Sequence, residues 1–174
     1  SAAELLGDFV DALAADAPEE LRFGDADLVP AKDAHEIDAA AMTRVVEALN
    51  LLRMNDADKL GDWFGSFITT YRTAVEPAAD EAPRPRIEIE WDLAHGAVLQ
   101  RHPWSRMAWR KAAKGARLYA GGRVLSLPAR DASRLAAAVS IDGTLYDSLS
   151  QAGRDAVFEL LEAGHYRLDL HADA

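Results

Sequence analysis

A chain of 174 residues with 49% apolar and 28% charged content can bury one good core or two small ones, so one or two ordinary globular domains are expected. It has no cysteine, which excludes a disulfide framework, a thiolate nucleophile and a cysteine-based zinc site; no run approaches the roughly 18 apolar residues of a membrane span, and the N-terminus lacks a secretory pattern, so a cytoplasmic protein is expected. The net charge of −10 is unevenly spread: residues 1–92 carry −13 and residues 93–174 carry +3, and Leu93–Arg134 holds Arg101, Arg106, Arg110, Lys111, Lys114, Arg117, Arg123, Arg130 and Arg134 against Asp131 alone, a stretch suited to an anionic partner.

In chain order, Ser1 in place of methionine reads as the start of a processed, tagged or truncated product. A first helix is predicted over Ala2–Ala14, with Leu5, Leu6, Phe9, Val10 and Leu13 on one face; Ala17-Pro18 ends it, and Glu19–Lys32 reads as an extended loop. Asp33 followed by Glu36 forms a capping-box-like start for a second helix running to about Arg53, with Ile37, Ala41, Val45, Val46, Leu49 and Leu52 as its apolar stripe. Asn55 is the expected cap of a third helix to Tyr71, on which Leu60, Trp63, Phe64, Phe67, Ile68 and Tyr71 recur at steps of three and four. The tight break at Arg53–Asp56 folds the second helix antiparallel to the third, giving a small bundle. A stripe this aromatic exceeds the needs of three short helices, so Leu5, Phe9, Val45, Leu49, Trp63, Phe64, Phe67, Ile68 and Tyr71 are expected to supply a core and part of a homodimer interface.

Pro77, Pro83 and Pro85 among acidic residues mark a linker. Beyond it, Ile87–His95 reads as a short helix ended by Gly96. Strands follow at Ser105–Arg110 and Ala116–Ala120, and Gly121-Gly122 turns the chain into Arg123–Leu127. Three short helices (about Ala129–Val139, Thr144–Ser148 and Gln151–Glu162) precede Gly164 and a closing strand, Tyr166–Leu170. This order suits a winged-helix module. The expected fold is mainly α with a small β component: a three-helix dimerisation region over 1–76, a linker over 77–86 and a winged-helix domain over 87–174.

These stretches resemble the C-terminal region of the bacterial ribosomal oxygenases, cupin-type enzymes of the JmjC class that hydroxylate a side chain of a ribosomal protein. Ala3–Leu13 (AELLGDFVDAL) is similar to the helix that follows their barrel, Asp25–Pro30 (DADLVP) to a D-x-D-L-x-P connection, and Asp62–Phe67 (DWFGSF) to a W-F-G-x-F helix. Arg117–Gly122 (RLYAGG) with Leu161–Tyr166 (LEAGHY) is similar to parts of their winged helix. The resemblance covers essentially the whole chain and implies a helical dimerisation region followed by a winged helix, in a parent enzyme that uses Fe(II) and 2-oxoglutarate on a ribosomal protein.

The family holds its iron through an H-x-D pattern and a distant histidine within the barrel. Only His171-Ala172-Asp173 has that form here, at the fraying end of the chain, so it reads as a polar tail. This chain is therefore expected to hold no cofactor or metal and to be a non-catalytic part. Walker, nucleophile-elbow, H-E-x-x-H and dinucleotide patterns are absent from the sequence. His102–Arg110 interleaves Trp104 and Trp109 with arginines, as single-strand platforms do, but a half-buried strand with Trp109 in the core explains the same pattern. Asp56, Asp58 and Asp62 read as first-turn capping charge. The alternative is a winged-helix nucleic-acid binder with a helical oligomerisation arm. The last long helix carries Arg154 against Asp155, Glu159 and Glu162, which makes nucleic acid an unfavoured partner.

Overall fold

The computed structural model describes residues 1–15, 17, 37, 39–51, 56–70 and 84–170. The Asp33–Glu36 start signal, Asp25–Pro30, Leu52, Asn55, Tyr71, most of the 77–86 linker, His35, His171 and Asp173 lie outside the described residues. Two compact units, Ser1–Trp63 and Phe64–Ala174, divide inside a helix.

The first unit holds α1 (Ala2–Ala15), α2 (Ala39–Leu51) and the beginning of α3 (Ala57–Thr70). The Oδ1 of Asp56 accepts the N–H groups of Asp58 at 3.0 Å and Lys59 at 3.1 Å, so the cap of α3 is Asp56, one residue beyond the expected Asn55. On α1, Phe9 and Leu13 are buried, four apart on one face, and the Phe9 ring lies 4.9 Å from that of Trp63.

The second unit continues from α3 into α4 (Arg86–Ala94), β1 (Val98–Arg101), β2 (Met107–Lys111), β3 (Ala116–Ala120), β4 (Arg123–Leu127), α5 (Ala129–Ala137), β5 (Ser140–Ile141), α6 (Gly143–Asp147), α7 (Gln151–Glu162) and β6 (Tyr166–Asp169). Among the described residues the fold is mainly α with a small β component, as the sequence led one to expect. Gly96 at φ +98 and Gly164 at φ +80 end α4 and α7 in the left-handed conformation that a side chain disfavours. Gly121 and Gly122, at φ +53 and +82, form the two-residue turn between β3 and β4.

Two small antiparallel sheets result. β2, β3 and β4 form a meander in which Lys111 pairs with Ala116 and Ala116 with Leu127. The other sheet has the order β5-β1-β6: Leu99 of β1 stands opposite both Ile141 and Leu168, so the central strand comes earlier in the chain than either neighbour. β1 and β5 were not foreseen as strands. Each has only two to four residues, and their pairing partners lie tens of residues away, so local alternation gives no signal. For the same reason the helix expected to reach Val139 ends at Ala137, and Ser140–Ile141 leaves it for the sheet.

Leu99, Leu118, Leu135, Ile141, Val157 and Leu160 are fully buried and join both sheets and α5 to α7 in one core. α5 covers one face of the β2-β3-β4 sheet. On the other face, Tyr119 is buried beneath Gly65 of α3; a Cβ on that glycine would lie 2.5 Å from the ring, so only glycine permits this approach.

Candidate functional site

The helix-turn-helix α6–α7 is fixed by polar contacts of residues that also form the helix starts. Asp142 Oδ1 accepts the Leu145 N–H at 2.7 Å, and Ser150 Oγ accepts the Gly153 N–H at 3.2 Å, so both helices carry side-chain N-caps. Ser150 in turn donates its hydroxyl, at 2.5 Å, and its N–H, at 3.1 Å, to Oδ2 of Asp131 on α5. Asp131 is buried, and Gly153 leaves room for its carboxylate, since a Cβ there would come within 2.6 Å of Oδ2. The single acid of the basic run is thus a structural bolt between α5 and α7.

Helix α4 is tied to the same pair. Arg86 donates from Nε to Glu90 at 2.9 Å and from Nη1 to Asp155 at 2.6 Å, while its guanidinium lies 4.5 Å from the Phe158 ring centre. Tyr146 donates its hydroxyl to Glu90 at 2.6 Å. Glu90 is held below the usual carboxylate range by that Tyr146 bond and then by Arg86, and Asp155 chiefly by Arg86. Burial, followed by the Glu90 bond, pushes the Tyr146 phenol up to about 12.

The outward residues of α7 are Asp155, Glu159 and Glu162 with Arg154, whose Nη2 donates to the Asp147 carbonyl at 2.9 Å. An acidic helix in the position of a recognition helix repels phosphate.

The structure splits the basic run. Arg106 and Arg123 lie at the β3–β4 turn end of the meander, where Met107 pairs with Ala120 and Ala120 with Arg123; Lys111 and Lys114 lie at the opposite end. Arg101 is on the other sheet, where its Nη1 donates to the Ala136 carbonyl at 2.9 Å, and Arg110 donates from Nε to the Tyr119 hydroxyl at 2.7 Å. The six do not form one continuous patch. Trp109, expected in the core, is partly exposed on the edge strand β2, which has a neighbour on one side only among the described residues.

Residues of the helical stripe take different environments. Phe9 is buried and Trp63 and Phe67 are half-buried, whereas Leu5, Val45, Leu49, Phe64 and Ile68 are exposed. The buried positions of α3 are Gly65 and Thr69, and Thr69 Oγ1 accepts the Gly122 N–H at 3.3 Å. Sequence reasoning missed this face, although the pairing of a small residue with a hydroxyl four positions on is the kind of signal that marks close backbone approach.

A further contact joins Ser105 to His165: Oγ and Nδ1 are 2.8 Å apart and both residues are buried. Burial first, and then Arg123 and His102, holds the His165 imidazole below its usual range, so it is neutral near pH 7. Among the described residues no group of three or more His, Asp or Glu side chains converges as metal ligands would, and no helix is long and apolar enough to cross a membrane.

A family model described as ROXA-like winged helix matches residues 52–167. The structure of Escherichia coli ribosomal oxygenase YcfD aligns with 97% of this chain at 23% identity and a TM-score of 0.74, using 46% of its own length. YcfD in complex with cobalt and succinic acid gives the same values, and YcfD in complex with cobalt and 2-oxoglutarate gives a TM-score of 0.71. The chain thus spans less than half the length of these structures, and at this identity the likeness is one of fold. A search of curated proteins finds no match.

Proposed function

Because the chain belongs to the ROXA-like winged-helix family, we propose that it serves as the non-catalytic C-terminal part of an Fe(II)- and 2-oxoglutarate-dependent ribosomal-protein hydroxylase, pairing two copies and presenting a winged helix beside a catalytic barrel. The observation that carries this reading is the family match over 52–167 together with a likeness that takes in 97% of this chain but 46% of a ribosomal oxygenase. On this reading iron and 2-oxoglutarate belong to the barrel of the parent enzyme, as cobalt and 2-oxoglutarate belong to a YcfD complex, and the substrate is a ribosomal protein in the cytoplasm.

The residues described here do not fit an iron site. His95 Nδ1 lies 2.7 Å from the Trp91 carbonyl, His102 Nδ1 accepts the Trp104 N–H at 3.2 Å, and His165 is bound to Ser105.

The proposed layout is a dimerisation region over 1–76, a linker over 77–86 and a winged-helix domain over 87–174. Leu5, Phe9, Val45, Leu49, Trp63, Phe64, Phe67, Ile68 and Tyr71 are the proposed core and pairing residues. The exposure of Val45 and Leu49 on α2 and of Phe64 and Ile68 on α3 supports this, since apolar helix faces gain by being covered. The acidic α7 favours a protein partner for the winged helix over nucleic acid.

Light scattering at high micromolar concentration tests the pairing, with a dimer expected and a monomer overturning it. Incubation with Fe(II), 2-oxoglutarate and ribosomal protein tests the division of labour: this chain alone is expected to give no turnover, and stoichiometric iron with turnover would overturn the accessory reading.

A further inference from the structure

A recess of about 320 Å³ lies in the second unit, bordered by the last turn of α3, the end of β1, the start of β2 and the end of α5. Arg101 and Arg106 both line it, and among the described residues no acid does. In a chain of net charge −10, two cations on one small concavity make a local centre of positive potential. The rest of the wall is mostly apolar, formed by Ile68, Met107, Ala108 and Ala136, of which Met107 and Ala136 pack against the core.

The polar groups of the recess are not equally available. Thr69 Oγ1 donates to the Gly65 and Ser66 carbonyls, both at 3.0 Å, and Ser105 Oγ is engaged with His165 Nδ1 at 2.8 Å, so both hydroxyls are committed to the fold. Arg101 is half-buried and spends one N–H on the Ala136 carbonyl at 2.9 Å. That bond anchors the guanidinium, and with the Tyr166 hydroxyl, which donates to the Ala138 carbonyl at 3.0 Å, it offsets part of the negative end of α5. A guanidinium carries five N–H donors in a rigid fork. The others of Arg101 have neither a hydrogen bond nor a carboxylate partner among the described residues.

We infer that this recess binds a small monocarboxylic acid with a compact apolar body, its carboxylate paired with Arg101 and its body against Met107, Ala108 and Ala136. A carboxylate suits the fork because its two oxygens accept from two parallel N–H groups, while Arg106 adds charge at the rim. A phosphate has more oxygens to satisfy, and with both hydroxyls committed the apolar wall would strip its water without replacing those bonds. The volume stands at the low end of small-ligand sites, which run from roughly 300 to 1,000 Å³, and so fits a single ring or a short branched chain. The inference goes beyond the oxygenase reading and does not depend on it, because it uses only the guanidiniums and the wall.

The probe is benzoate, titrated into the full chain and followed by calorimetry and by the NMR signals of the Arg101 Nε–H and the Met107 methyl. Saturable binding of one benzoate per chain, with both signals moving, is expected. Benzamide, of the same shape but uncharged, should bind at least about tenfold more weakly, and benzoate should lose as much on Arg101→Met, the scale of one charge-assisted pair. Because Arg101→Met also frees the Ala136 carbonyl, Arg106→Gln at its exposed position supplies a second variant, expected to weaken binding by about threefold. Inorganic phosphate should bind more weakly than benzoate. Equal binding of benzamide, phosphate binding as tight as benzoate, signals that move elsewhere but not at Arg101 and Met107, or no saturation up to about 20 mM benzoate would each overturn the inference. So would a benzoate affinity that falls as protein concentration rises, because a second copy of the chain would then cover Ile68 and the recess with it.

Discussion

Helices α2 and α7 are of nearly equal length, 13 and 12 residues, and both are amphipathic, yet they treat their apolar faces in opposite ways. α7 buries Gly153, Ala156, Val157 and Leu160 within its own chain, and its start is held by Ser150 and Asp131. α2 leaves Met42, Val45, Val46 and Leu49 exposed. The apolar period is the same in both, so what differs is the supply of partners: α7 is met by two sheets and α5, whereas α2 keeps its apolar face exposed in the first unit. An amphipathic pattern thus says that a face is to be covered and is silent on what covers it. Here the same pattern belongs to an internal core in one helix and to an exposed face in the other.

The contrast can be broken by truncation. Leu160→Ala, at a fully buried position, should lower stability by about 2–5 kcal/mol through lost burial and a residual cavity, measured by urea or thermal unfolding. Asp131→Ala should cost about 1–3 kcal/mol, because it strands the Ser150 donors at the start of α7; a loss confined to the solvent-exposed scale would show that the bolt is dispensable. A smaller effect is expected from pH. The folded His165 imidazole is held below its ordinary 6.5, so its contribution is complete above that pH and is lost as pH falls through the lower folded value, with the unfolded state taking up the proton first. Stability should therefore decline below about pH 6.5, and His165→Gln should flatten that part of the profile. At the low end, Val45→Ser with Leu49→Ser should change unfolding of the isolated chain by only about 0.5 kcal/mol per site while abolishing any dimer seen by light scattering. A cost like that of Leu160→Ala would instead make α2 a core helix.

Much of the second unit was legible in its residues because the signals there are local. Gly96, Gly164 and the Gly121-Gly122 pair announce positive φ wherever they stand, and the α7 stripe follows its period. The strands β1 and β5 were not legible, since each is defined by a partner far along the chain. The recess beside Arg101 escaped for the same reason: Ile68, Arg101 and Met107 share no motif and meet only when α3, β1 and β2 come together. The basic run shows the converse. It reads as one patch in the sequence, yet the register of the meander sends Arg106 and Arg123 to one end and Lys111 and Lys114 to the other.

The order of residues alone determined the turns, the helix faces, the mainly helical class and the family resemblance, because backbone preferences and periodicity act over a few residues. Tertiary structure alone decided which apolar faces are closed, that Asp131 is a buried bolt and that β6 comes last in the order β5-β1-β6, because burial and strand order depend on neighbours that the chain supplies only by folding.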